Sequence, residues 1–504
     1  MPDAVAVSTP GGFLLVLALV LPVAGVLLGL GLGGRHAERI ALALMPVGLA
    51  LALAIAAGVL RADAALVYVV GGWAPPLGLA LRADGLSAAM MLTTAVVIGA
   101  TGLFARAEFG TPPDLRETRA PLAFWTLLLG VWAALNAVLL GDDLFNLFVA
   151  LELLTFSAVP LVCLDGRVET LRAALRYLLF ALLGSVLYLL GVALMYGAYG
   201  TLDIVLLSGL VRAEPAPLAA ASLMTAGLLA KTALFPLHLW LPPAHAGAPA
   251  PASAVLSSLV VKGSFVIIVR LWFDVMSGLP SDAVMQILAT LGAAAIVFGS
   301  VLALQQARLK LLVAYSTVAQ IGYLFLMFPL ATGAAAHIAG MGAWTGGVLQ
   351  AISHACAKAA MFMAAGLIAQ ALGHDRIAGL NGIARTLPMT VLAFGLGGLS
   401  LMGLPPSGGF VAKWLLLSAA IDSGQWWWAL VILAGGLLTG GYLFRVLAPA
   451  LADTDRPLAT YAPVERYREA VVLALALVSM LLGLLPFASF GLLQIGRLDM
   501  ATAP

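Results

Sequence analysis

Five ionisable side chains stand inside long apolar stretches of this sequence: Glu152, Lys231, Lys262, Lys358 and Lys413. A charged residue at the centre of a lipid-facing helix costs about 2.5–3.5 kcal/mol on insertion scales. The five must therefore face a protein interior, meet water or one another, or lose their charge. Lysine amines and carboxylates exchange protons, and ionisable residues inside membranes commonly mark proton or ion pathways. The set predicts a buried proton pathway; snorkelling lysines or static ion pairs are the alternative interpretation.

Histidines extend this set, because imidazole titrates near neutral pH and can pass protons on. His354 precedes Lys358 by four residues, so the two share one helix face. His238 follows Lys231 by seven residues and is expected to share its face. The main candidates for the proton pathway are therefore Glu152, Lys231, Lys262, Lys358 and Lys413 together with His354. The secondary candidates are His238, His245, Arg176, Tyr315, Ser316 and Thr317.

Prolines interrupt two of the lysine-bearing stretches. Pro236 follows Lys231, and the pair Pro405 and Pro406 precedes Lys413. Proline removes a backbone donor, and a broken helix within a membrane is tolerated where neighbours or a polar cavity satisfy the freed carbonyls. Broken helices beside ionisable residues are typical of transporters, and two such helices five segments apart suggest an internal repeat.

Composition defines the environment that these residues occupy. The chain has 504 residues, of which 62% are hydrophobic and 10% are charged, against about 25% charged in soluble domains. It is predicted to be an integral membrane protein with almost all of its mass in the bilayer. A soluble enzyme, a secreted disulfide scaffold, a nucleic-acid-binding protein and a disordered chain are excluded.

Cofactor and metal motifs do not occur in the sequence. The two cysteines have neither CxxC nor metal-ligand spacing. There is no Walker A sequence, no GxGxxG after a strand, and no haem or iron–sulfur spacing. We therefore expect no metal site and no cofactor, and no nucleotide hydrolysis or electron transfer by this chain itself.

Continuous apolar runs predict an all-α polytopic fold with about 14 transmembrane helices. A β-barrel is excluded because its segments would be short and alternating. The stretch 61–84 is too short and broken to span, and it predicts an extramembrane hairpin or loop. The predicted segments are 12–33, 38–60, 85–105, 121–140, 144–164, 171–198, 216–238, 251–274, 283–304, 310–330, 337–371, 387–421, 426–448 and 467–487.

Basic residues predict the orientation. Loops after odd-numbered segments contain sixteen arginines and lysines. The opposite side contains five, one of which is Arg270 near the end of segment eight. The basic side should be cytoplasmic, which places both termini on the outer side of a multi-pass protein in the cell (inner) membrane.

Several motifs resemble a known family, the antiporter-like subunits shared by Mrp cation/proton antiporters, respiratory complex I and membrane-bound hydrogenases. The resemblance covers about residues 84–448, with five motifs in the family's order. The chain departs from the family at Arg308, where an acid is common, and at Leu311, where a base is common. The matching stretches are Asp143–Glu152, Ala230–Arg270, Ala314–Tyr323, the pair His354 and Lys358, and Gly403–Lys413.

The resemblance implies fourteen helices with two inverted five-helix repeats, in which helices 7 and 12 are broken. It implies that Glu152 pairs with Lys231, that Lys262 is the central relay, and that Lys413 ends the track, with His354 and Lys358 before it. The predicted divisions are 1–110 (helices 1–3 and the hairpin), 111–274 (first repeat), 275–448 (second repeat) and 449–504 (helix 14 and tail).

Within this family the sequence most resembles the D-type member of the Mrp Na⁺/H⁺ antiporters, through Asp143–Phe148 and the lysine at position 413. The implied partners are other membrane subunits of a hetero-oligomeric complex, the lipid bilayer, and protons with Na⁺ as a second candidate ion. Catalysis would arise only within that translocase complex. Two alternatives remain: a proton-pumping subunit of a complex I-like NADH:quinone oxidoreductase or hydrogenase, and a non-conducting membrane scaffold.

Overall fold

The computed structural model describes residues 7–111, 118–332, 337–453 and 461–498. Within these ranges the chain is almost entirely helical, as the continuous apolar runs predict. The helices are α1 (Phe13–Leu32), α2 (Gly34–Ala62), α3 (Gly85–Ala105), α4 (Arg119–Leu140), α5 (Leu144–Val162), α6 (Val168–Tyr199), α7 (Ile204–Leu210), α8 (Pro215–Thr232), α9 (Leu241–Gly247), α10 (Ala250–Val255), α11 (Val261–Val269), α12 (Asp282–Gln305), α13 (Leu309–Phe325), α14 (Met327–Ala331), α15 (His337–Leu372), α16 (Ile383–Thr386), α17 (Pro388–Met402), α18 (Gly408–Asp422), α19 (Trp426–Ala450) and α20 (Arg466–Leu481).

Twelve helices in the described ranges are long and apolar enough to cross a membrane. The multi-pass helical fold is therefore confirmed, while the total of fourteen stays a prediction. The two predicted segments outside the twelve are 216–238 and 387–421. In both regions the structure contains shorter, interrupted helices instead of one continuous span.

The first interruption lies after α8, where Thr232 is the last helical residue and Ala233 adopts a left-handed conformation, with φ of 58°. Residues 233–240, including Pro236, form turns before α9 begins. This corrects the prediction that His238 shares a helix face with Lys231, because the helix ends between the two residues. The second interruption contains Pro405 and Pro406, and Ser407 then caps α18 by accepting a hydrogen bond from the Phe410 amide.

Short polar side chains fix the start of several helices by accepting otherwise unpaired amide hydrogens. Asp84 accepts from the Ser87 amide at the start of α3, and Asp143 accepts from two amides at the start of α5. Between α2 and α3, strands β1 (Leu66–Val69) and β2 (Ala80–Ala83) form an antiparallel hairpin. It lies in the stretch predicted to leave the membrane.

The centre of the fold is a helical rod, Ala250–Val275, in which π-helical turns join and extend α10 and α11. The most apolar 18-residue stretch of this rod is entirely buried, and this is true of no other candidate span in the described chain. The rod packs against α3, α4, α8 and α15, and outside it α6 packs on α8, α12 on α13, and α15 on α18. A lysine in this rod, Lys262, therefore cannot reach lipid, and neighbouring helices must satisfy its amine.

Candidate functional site

Glu152 and Lys231 form an ion pair between α5 and α8. The Lys231 Nζ lies 3.2 Å from Glu152 Oε1 and donates to the Thr155 hydroxyl at 2.9 Å. The Ser185 hydroxyl of α6 donates to the same Glu152 oxygen. Three helices thus converge on one buried charge pair, and each charge has a hydrogen-bonding partner, as burial requires.

Lys262 lies next in space and is almost completely buried on the central rod. Its amine donates to the Ser257 carbonyl at 2.6 Å, and the Ser257 hydroxyl lies 2.9 Å from the Thr317 hydroxyl of α13. On the side towards α8, Thr232 donates to the Ser264 hydroxyl at 2.9 Å. Since a hydroxyl both donates and accepts, these hydroxyl groups on the rod and on its neighbours α8 and α13 are candidates for proton relay.

Lys358 and His354 occupy one face of α15 and are fully buried. The Lys358 amine donates to the Val313 carbonyl at 3.0 Å and to the Ser316 hydroxyl of α13. Neither ring nitrogen of His354 has a hydrogen-bond partner among the described residues. The imidazole lies within electrostatic range of Lys262, Lys358 and Lys413, so it stands among three lysines.

Lys413 of α18 reaches back to the helix break. Its amine donates to the carbonyls of Leu401 and Met402 at the end of α17 and lies 3.9 Å from the centre of the Tyr323 ring. Gln320 of α13 donates to the same Leu401 carbonyl at 3.1 Å. The carbonyls freed where α17 ends are therefore what stabilises this ammonium group inside the protein.

The main candidates lie together in the interior of the molecule, and we call this set the buried row. Ser316 and Thr317 are adjacent on α13 and lie near its two central lysines: the Ser316 hydroxyl contacts Lys358, and the Thr317 hydroxyl contacts the hydroxyl of Ser257, whose backbone carbonyl accepts from Lys262. The buried row comprises Glu152, Lys231, Lys262, His354, Lys358 and Lys413.

The secondary candidates separate into two groups. Ser316 contacts Lys358 of the buried row and Thr317 contacts the Ser257 hydroxyl, whereas Arg176 is exposed on α6 and Tyr315 is only half-buried. His245 is fully buried and stacks on Phe362, with ring centres 4.5 Å apart. His238 contacts the rings of Phe235 and Phe298, with ring centres 5.6 Å and 5.4 Å apart.

Arg270, which the sequence-based orientation counts among the basic residues of the outer side, is buried inside the protein. The side chain is 1% exposed and pairs with Asp84 at 3.3 Å and Asp274 at 3.7 Å. It also donates to the Ser87 hydroxyl at 2.7 Å. Burial opposes ionisation of Asp84, but the charges of Arg270 and Arg82 outweigh it and lower the pKa of that carboxyl.

Gln350 is a polar neighbour that the sequence did not single out, although its spacing was informative. Gln350, His354 and Lys358 recur every four residues on α15, which places all three on one face. Gln350 donates at 3.0 Å to Gln320 of α13, which lies within the matching stretch Ala314–Tyr323. The four-residue spacing from His354 and Lys358 is the signal that marks Gln350.

The chemistry available at the buried row is proton exchange and ion pairing. Across the described part of the chain, no three His, Cys, Asp or Glu side chains are grouped as a metal site would require. Amines, an imidazole, a carboxylate and hydroxyls can each accept or release a proton. Several amines this close together in a poorly solvated interior cannot all stay charged, so their titrations should be coupled.

Comparison with known proteins places the chain in a family. The signature described as "NADH:quinone oxidoreductase/Mrp antiporter, TM" matches residues 141–439. The chain is 35% identical to the N subunit of the NADH-quinone oxidoreductase of Desulforudis audaxviator over 387 residues, covering 76% of this chain and 75% of that protein. It is 30% identical to the D subunit of the Na(+)/H(+) antiporter of Alkalihalophilus pseudofirmus over 381 residues, covering 74% and 73%.

Solved structures agree with this placement. The chain superposes on one chain in the structure of the Mrp complex from Dietzia sp. DQ12-45-1b with a TM-score of 0.87 and 26% identity, covering 98% of each chain. The resemblance carried by the motifs is confirmed by sequence and structure together. The chain belongs to the NADH:quinone oxidoreductase/Mrp antiporter family of antiporter-like membrane subunits.

Proposed function

We propose that this chain translocates protons along the buried row as the D-type member of an Mrp-type monovalent cation/proton antiporter. The observation that supports this most directly is the set of four buried lysine amines, all of which lie within the matched region. Each amine has a polar partner: Lys231 bonds the Thr155 hydroxyl, Lys358 bonds the Ser316 hydroxyl, and Lys262 and Lys413 bond backbone carbonyls. A scaffold without transport would not need four buried amines in one interior.

The Glu152–Lys231 pair is the proposed control point. Two unit charges at 4 Å attract by about 4 kcal/mol at an effective dielectric constant of 20. While the pair is closed, this attraction favours the protonated amine. When a neighbouring protein of the complex or an arriving cation draws Glu152 away, the amine loses that stabilisation and can release its proton towards Lys262.

Beyond Lys262, charge repulsion gives the transfer its direction. A proton that reaches Lys262 disfavours a second charge on Lys358 or His354, so each arrival promotes release at the next site. Lys413 then receives the proton among the carbonyls at the α17 break, which is the far end of the buried row. The other membrane proteins of the complex would couple this release to cation movement.

The 30% identity to the D subunit of an Na(+)/H(+) antiporter supports the D-type assignment. A second candidate, a proton-pumping member of a complex I-like oxidoreductase, is favoured by the 35% identity to an N subunit. The two are separable in everted vesicles that contain the complete complex. An Mrp-type complex dissipates a preformed pH gradient when Na⁺ is added without an electron donor, whereas a redox-driven complex acidifies vesicles only when its donor is oxidised.

Substitution at the ion pair tests the proton pathway itself. We expect Glu152→Gln and Lys231→Met to lower proton flux by about a hundredfold, the range of a lost proton-transfer group. Arg172→Met, at an exposed position on α6, is the matched control and should retain full flux. Assembly is checked by co-purification of the other subunits. Unchanged flux in both pair variants of an assembled complex would contradict the proposal.

A further inference from the structure

A polar cavity opens at the end of the molecule where α3 ends and α20 begins, which is the side with most of the loop arginines. Its volume is about 520 Å³. It is distinct from the Glu152–Lys231 pair, since no residue of that pair lines it. Its ionisable lining residues are Glu108, Asp165, Arg167, Lys310, Glu465 and Arg468.

Glu108 is fixed at the mouth of this cavity. The turn that contains it is anchored by the Phe109 amide, which donates to the Ala105 carbonyl at 2.8 Å, and by Trp125, which donates to the Phe109 carbonyl at 2.9 Å. The side chain is 37% exposed, and its carboxylate lies 3.8 Å from the guanidinium of Arg468. It therefore contacts both the outside solution and the cavity.

Arg468 is held in place by other contacts. Its guanidinium stacks 4.2 Å from the centre of the Phe104 ring and donates to the Gln370 side chain at 2.7 Å. Glu465 approaches the same guanidinium at 3.7 Å from the more exposed rim. Burial raises the pKa of Glu108 although Arg468 and Lys310 both oppose this, so the carboxyl exchanges protons closer to neutral pH.

From the cavity, two residues lead inward to the buried row. Lys310 lines the cavity and donates to the Ala248 carbonyl at 3.0 Å, just beyond the end of α9. His245 lies three residues before Ala248 and is fully buried. Neither of its ring nitrogens has a hydrogen-bond partner in the described chain. Its imidazole is within electrostatic range of Lys310 on the cavity side, and of Lys358 and Lys262 in the buried row.

We propose that this cavity is the proton inlet of the buried row, and that Glu108 is the carboxyl that collects protons from solution. A proton from water binds the Glu108 carboxylate, passes to Lys310, and reaches Lys262 through the His245 imidazole, leaving Glu108 ionised again. Arg468 is a positioning residue that orients the carboxylate. This inference rests on the proposed function, and both Glu108 and Arg468 lie outside the matched family region 141–439.

The test measures proton uptake by the complete complex in sealed vesicles as a function of pH. We expect Glu108→Gln to slow uptake about tenfold or more above neutral pH, with a smaller loss in acid, where protons are abundant. Added azide, a small weak acid, should restore much of the rate by delivering protons into the cavity. The groups that face Glu108 and could alter this pH profile are Arg468 and Glu465 of α20, Lys310 of α13, and Asp165 and Arg167 before α6.

Glu169→Gln is the matched control, because Glu169 is an exposed carboxylate in the first turn of α6, two residues after the lining residue Arg167, and does not itself line the cavity. We expect it to retain normal uptake. Equal losses in both variants, or a Glu108→Gln loss that azide does not restore, would show a structural role and overturn the inlet. Normal uptake in Glu108→Gln, together with lost uptake in Lys262→Met, would overturn the inlet alone. Normal uptake in Lys262→Met would instead overturn the proposed function.

Discussion

Asp203 should lower the stability of the folded chain at neutral pH, and its removal should stabilise the protein. The residue lies between α6 and α7 and is 6% exposed. Burial, together with the neighbouring charge of Asp142, raises its pKa to about 6. Its carboxylate caps α7 by accepting from the Leu206 amide at 2.9 Å. Asn caps helices as well as Asp does, so Asp203→Asn removes the charge and keeps the cap.

The magnitude follows from proton linkage. With a pKa of about 6 when folded and about 3.9 when unfolded, the folded chain binds the Asp203 proton more tightly. The contribution of Asp203 to stability therefore falls as the pH rises from about 4 to about 6 and is constant above that window. The penalty is about 3 kcal/mol at about pH 7.5 and about 1 kcal/mol at about pH 4.5.

Thermal unfolding in detergent, followed by intrinsic tryptophan fluorescence, measures this effect. The chain has ten tryptophans, of which Trp125 and Trp240 are fully buried. Asp203→Asn should raise the melting temperature at about pH 7.5 by on the order of 3 °C more than at about pH 4.5. An equal shift at both pH values, or a lower melting temperature at about pH 7.5, would refute the reasoning.

Asp165→Asn is a control with the opposite expected sign. Burial disfavours the Asp165 carboxylate, but hydrogen bonds from Thr170 and Arg167 outweigh this and lower its pKa. A lowered pKa means that the folded chain gains stability above the unfolded value and loses it only in stronger acid. The variant should therefore melt at a lower temperature at both pH values.

Two further predictions concern the stability of the folded chain. Arg270→Met should destabilise it by about 3–5 kcal/mol, because Asp84 and Asp274 lose the cation that pairs with them. Thermal unfolding measures this effect, and a melting-temperature shift of less than about 1 °C would contradict it. Gly227→Ala should cost about 1–3 kcal/mol, because a Cβ at this position would lie 2.2 Å from the Gly184 carbonyl and force α6 and α8 apart. In the same assay a stable Gly227→Ala variant would show that the two helices can separate freely.

The helices could be predicted from the sequence because each is encoded locally. Runs of apolar residues gave predicted bounds within a few residues of α1 to α6, for example 85–105 against Gly85–Ala105. The interrupted segments also had a local signal, since Pro236 and Pro405 lie where the helices stop. Local patterns failed at His238, because helical spacing applies only while the helix continues.

Long-range pairing could not be predicted from the residues alone. Arg270 and Ser87 are separated by 183 positions and meet only because α3 packs near the end of the central rod. The pairing of Glu152 with Lys231 was implied by the family resemblance and depends on α5, α6 and α8 converging. The cavity at Glu108 likewise arises from separate loops, so nothing in its local sequence marked it.

The most direct test of proton transfer along the buried row is flux through Lys262→Met, since Lys262 lies on the fully buried central rod between the Glu152–Lys231 pair and Lys358. Methionine keeps the apolar length of the side chain and removes only the amine. In vesicles that contain the assembled complex, we expect proton flux to fall by about a hundredfold, with normal assembly. Flux equal to that of the unmodified complex would contradict proton transfer along the buried row.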